Sequence, residues 1–211
     1  MSCETKIFKD ITSDCNMPTP GIEVEAWVFN RSEISVTYSV SDTNRITDIS
    51  MIGSATAFKI KGYKKNLNCG SDVVVSDDMP KRFNHYFSFK NFEFNTESLR
   101  NVDNLDDLCI VVERKDKPES GDGIFVGYGF KSGLFVSTDT HRAWENNGVR
   151  SVEMTSIEGG YEPHSQYVVF VADQTSPYTK TKAMLDGLLP KEEEEEEKEG
   201  ETEGETEGET P

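Results

Sequence analysis

The sequence predicts a mainly β fold: a β-sandwich or barrel, one α-helix packed on it mid-chain, a short C-terminal helix, and then a disordered tail. Three observations predict it. Short runs of β-branched and aromatic residues recur with period two along most of the chain. Only two segments carry helical spacing between plausible caps. From Lys191 onward no apolar residue remains to be buried.

The first strand is predicted at Ile22–Phe29, where Ile22, Val24, Ala26 and Val28 share one side and Glu23 and Glu25 the other. Trp27 and Phe29 fall on the glutamate side, so that face is expected to be covered at one end. Residues 1–21 before it read as an irregular arm ending in Met17-Pro-Thr-Pro-Gly21, which stops a regular ladder. Further strands are expected over Ile34–Val40 and Ile46–Ile52, across the turn Ser41–Asn44. Phe58-Lys-Ile-Lys61 alternates with both lysines on one side. A long excursion or extended hairpin is read at 62–82, and an aromatic strand follows from Phe83 to Phe94. Asn95 is placed to cap a helix over Thr96–Asp107, with Leu99, Val102, Leu105 and Leu108 as its apolar stripe. Ile110–Val112 returns to β. Gly123–Gly129 and Gly133–Val136 read as a hairpin around Phe130–Ser132, and Val149–Ile157 and Gln166–Ala172 as the last strands. The domain thus spans 22–175. Ser176 and Pro177 open a helix over 176–190, and 191–211 is the acidic tail.

Charge restricts the functions available. The formal net charge of the 211 residues is −17. Residues 191–211 hold 12 Glu and 2 Lys, leaving only −7 on the body. Such a balance argues against wrapping nucleic acid, which needs cations to displace phosphate counterions, yet suits a surface past which DNA moves. No apolar run reaches the ~18 residues of a membrane span, and no apolar h-region follows Met1, so no secretory signal is expected. Cys3, Cys15, Cys69 and Cys109 show no C-x-x-C spacing and are expected to be reduced thiols.

No catalytic, cofactor or metal motif appears. His85, His141 and His164 sit in no ligand spacing and read as surface or loop histidines. Gly127, Gly129 and Gly133 miss the phosphate-loop spacing and read as turn and packing glycines. Cys109 reads as a buried structural thiol. The basic patch of Lys59, Lys61, Lys64 and Lys65 with Tyr63 reads as a guarded sheet edge. With Val73, Val74 and Val75 of the excursion, these residues are the candidate assembly contacts. Cofactors are expected to be none.

The order of elements resembles the tail-tube, tail-completion and ring proteins of bacteriophages. The segments Gly21–Phe29, Lys59-Ile-Lys-Gly-Tyr63 and Thr155-Ser-Ile-Glu-Gly159 are similar to those of phage virion proteins. The resemblance covers roughly residues 15–175 and is one of pattern; the Glu-Thr-Glu-Gly tail departs from it. It implies a non-enzymatic virion subunit, made in the host cytoplasm and assembling with itself into rings, commonly hexameric. It also implies contacts with other tail or neck proteins, DNA as passing cargo, and no membrane. The alternative is a monomeric β-sandwich that binds carbohydrate or a protein partner, with Tyr63, Tyr86, Tyr128 and Tyr161 as a platform.

Overall fold

The computed structural model describes residues 11, 18–63, 65–77, 79–145, 148–172 and 176–190. Most of the predicted arm, the acidic tail, Cys3, Cys15 and Lys64 lie outside the described residues. The eleven strands among the described residues are β1 (Ile22–Asn30), β2 (Ile34–Tyr38), β3 (Arg45–Met51), β4 (Phe58–Lys61), β5 (Asn68–Ser76), β6 (Met79–Asn91), β7 (Leu108–Arg114), β8 (Phe125–Tyr128), β9 (Phe135–His141), β10 (Arg150–Thr155) and β11 (Tyr167–Val169). The helices are α1 (Thr96–Asp103) and α2 (Pro177–Asp186). The strands form a seven-stranded sheet, β2-β3-β11-β8-β7-β1-β4, and a four-stranded sheet, β5-β6-β10-β9. Every pairing is antiparallel except that of β11 with β3.

The centre of the large sheet is buried on both faces. Leu108 to Glu113 of β7 are all buried, and such a continuous apolar run is what a doubly covered strand requires. One face, with Ala26, Val28, Ile110, Val112 and Val126, packs against Phe87, Phe89, Val152 and Met154 of the small sheet. The opposite face, with Trp27, Phe29, Cys109, Val111 and Phe125, packs against Leu185 of α2. The cover expected over Trp27 and Phe29 is therefore a helix, not a second sheet.

Polar contacts fix that helix in place. The Trp27 indole N–H donates to Asp186 at 3.0 Å, and the Tyr178 hydroxyl donates to the buried Glu113 at 3.0 Å. Lys117 and Lys182 neutralise Glu113 at 2.7 and 3.6 Å. Two elements differ from the sequence reading, helix α1 and the hairpin expected around Phe130–Ser132. Helix α1 stops at Asp103 rather than Asp107: the Asn104 amide closes it on the Arg100 and Val102 carbonyls, and Leu108 is drawn into β7. Asp107 takes a left-handed φ of 48°, and its carboxylate accepts two bonds from Arg31 at 2.6 and 2.9 Å. Strands β8 and β9 are not a hairpin: each belongs to a different sheet, and the turn 129–133 carries the chain between them. Gly129 and Gly133 hold positive φ there, and a Cβ on Gly129 would meet the Leu108 carbonyl at 2.7 Å. The excursion is irregular only over 62–67; beyond it β5 and β6 are a long hairpin.

Truncating Leu185 removes the apolar anchor of α2 and leaves a cavity over β7. Leu185→Ala is expected to cost about 2–5 kcal/mol, read as a lowered urea midpoint at unchanged slope.

Candidate assembly surface

The interior is already committed to its own packing. His85 lies fully buried in β6, in phase with Phe87 and Phe89, and is not the surface residue the sequence suggested. Its Nδ1 accepts from the Gly129 amide at 3.1 Å, which leaves the proton on Nε2 to donate to the His164 carbonyl at 2.8 Å. Burial pushes its pKa down; the His164 carbonyl and the nearby Glu162 pull the other way without cancelling it. Glu162 is also fully buried. One oxygen accepts from the amides of Lys131 and Ser132, at 2.9 and 2.7 Å, and the other from the Tyr167 hydroxyl at 2.8 Å. With these partners the histidine and the carboxylate pin the 129–133 turn. Cys109 is buried, with its thiol donating to the Gly129 carbonyl, and Cys69 is also a free thiol, raised by burial to about 11.

Open backbone lies at the ends of the sheets. Among the described residues β4 and β5 end the two sheets on one flank, joined by the short connection 62–67, while β2 and β9 end them elsewhere. The Gly62 amide donates to the Val24 carbonyl at 2.6 Å, so alternate residues Ile60 and Phe58 also face β1. The N–H and C=O of Lys59 and Lys61 then point outward along the open edge. Beside this edge runs a groove of about 750 Å³, lined by Phe58, Ile60, Phe89, Phe92, Val102 and Leu105 among others. Phe58 is 53% exposed and Phe92 about half exposed.

The candidate residues divide between the two edges. The Lys59 ammonium bridges Glu25 and Asp186 at 3.1 and 3.0 Å and lies 5.1 Å from the Trp27 ring centroid, so its side chain serves the α2 interface. Lys61, Tyr63 and Lys65 are exposed on β4 and its connection. Val73, Val74 and Val75 lie on β5. Cys69 at its start packs against the core; Val73, in phase with it, is 53% exposed, and Val75, where the register shifts between Val74 and Ser76, is 76% exposed. Only the tip of the hairpin overhangs the body: β10 pairs with β6 from Tyr86 to Asn91, Glu162 bridges Phe83, and the pairs of Val74 with Arg82 and of Ser76 with Met79 lie beyond. Sequence reasoning missed Phe58 and Phe92 as the aromatic lining of the groove. The tyrosines do not form one platform, since Tyr128 is buried in the core. Among the described residues no cluster of His, Cys, Asp or Glu suits a metal ion, and no helix is long and apolar enough to cross a membrane.

The depressed His85 sets a pH dependence. The unfolded chain takes up a proton below the ordinary histidine value near 6.5, while the folded chain does not until lower pH. Stability is thus full above that value and falls as pH drops, by at most about 1.4 kcal/mol per unit for this group. Urea midpoints from pH 7 to 5 are expected to fall less steeply for His85→Gln than for the parent chain. No family model, no curated protein and no solved structure matches this chain.

Proposed function

We propose that this chain is a non-enzymatic structural subunit of a phage virion, assembling with itself into a ring or tube of the tail or neck through its sheet edges and extended hairpin. The overhanging β5–β6 hairpin carries this reading. It presents the exposed Val73 beside Phe83 and the exposed Val75 in its overhanging tip. Exposed apolar strand faces next to unpaired edges favour continuation by another chain. The two flanks carry different edges, so a head-to-tail contact between copies is heterologous and closes into a ring when its rotation permits.

The phage setting is supported by the resemblance in element order and by the charge of the body. A net −7 over residues 1–190 favours a lumen along which DNA slides without adhering. Other tail or neck proteins are the expected neighbours at the ends of the ring. The absence of catalysis is supported by the internal use of His85 and Glu162.

Negative-stain images of the purified full chain are expected to show rings or short tubes. The double variant Val73→Asp, Val75→Asp is expected to abolish them with an unchanged circular dichroism spectrum, because both side chains are exposed. Substitution is preferable to removing residues 64–80, since Leu67 and Cys69 belong to the core. Rings that persist in the double variant, or a parent chain that never forms them, would contradict the proposal.

A further inference from the structure

The groove beside β4 has the features of a strand acceptor. Its edge offers the outward N–H and C=O groups of Lys59 and Lys61, and its floor offers Phe58 and Phe92, both about half exposed. A strand added there would pair with the backbone and bury both rings. We propose that residues 6–12 of a second copy of this chain fill it as an added strand; this rests on the assembly reading above and specifies one of its contacts.

The segment Lys6-Ile-Phe-Lys-Asp-Ile-Thr12 matches the two faces of the edge. In an extended strand Ile7, Lys9 and Ile11 fall on one side and Phe8 and Asp10 on the other. Placed against Phe58 and Ile60, the first side sets its isoleucines over the half-exposed rings and Lys9 near Glu93 and Glu97, which line the groove. The second side then sets Asp10 beside the exposed Lys61. The acidic residues 191–211 offer no apolar side chain for such a floor.

The domain starts on the side of β1 away from its own groove. The Thr19 amide donates to Asp116 at 3.4 Å, and the Lys115 amide donates to the Gly21 carbonyl at 3.1 Å. Both partners follow β7, which flanks β1 on the side opposite β4. Ile11 is 85% exposed and so is not packed on its own domain.

Hydrogen exchange by mass spectrometry on the full chain, resolving the peptide over residues 57–62, tests this. The parent is compared with the double variant Ile7→Asp, Ile11→Asp at dilute and concentrated protein, with electron micrographs of each sample. In the concentrated parent, exchange at Lys59 and Lys61 is expected to slow at least tenfold; in the variant it is expected to stay fast. Equal exchange in parent and variant would overturn the proposal, as would protection independent of concentration, which would place the arm in its own groove. Rings with an unprotected β4 overturn this contact alone, whereas absence of both rings and protection overturns the assembly reading too.

Discussion

The structure depends on the double burial of β7 and its neighbour β1. A strand apolar on both faces cannot stand in a two-layer sandwich with one side in water, so the chain must supply a second cover. It does so late, with α2, more than sixty residues after β7 ends. The Leu185 side chain supplies the apolar contact, and the Trp27–Asp186 and Tyr178–Glu113 hydrogen bonds fix the helix over the sheet. Lys59 joins this set from β4, so the strand at the edge of the large sheet is tied to the helix behind it.

The interior also carries a buried polar network. The polar groups that most resemble catalytic residues, His85, Glu162 and Tyr167, hold the crossing from the large sheet to the small one at 129–133. Their bonds are satisfied within the protein, and a buried network in that state rigidifies rather than reacts. The β4 edge, its groove and the overhanging hairpin instead leave backbone groups and apolar side chains uncovered on one flank.

Much of this was legible from residues alone. Period two marked β1, and the Ile110-Val-Val112 run marked a return to β, since both signals are local. The Lys59 and Lys61 pair marked a sheet edge for the same reason. The layer formed by α2 was not legible: a short helix with Leu185 and Leu188 looks the same whether it packs on a sheet or ends a chain. His85 was available but overlooked, because its spacing from Phe87 and Phe89 already put it on the buried face. Glu162 left no signal, as its partners are backbone amides distant in sequence. The pairing of β8 with β7 and β11 instead of β9 was equally hidden, since turn glycines mark a reversal without saying which sheet continues.

The proposed association through sheet edges requires an oligomer that forms with concentration. Sedimentation velocity of the full chain over a wide concentration range tests it most directly. The expected result is a shift from the 23.7 kDa monomer to one closed oligomer of defined size, without a continuous ladder of larger species. A single monomer boundary at every concentration would contradict it.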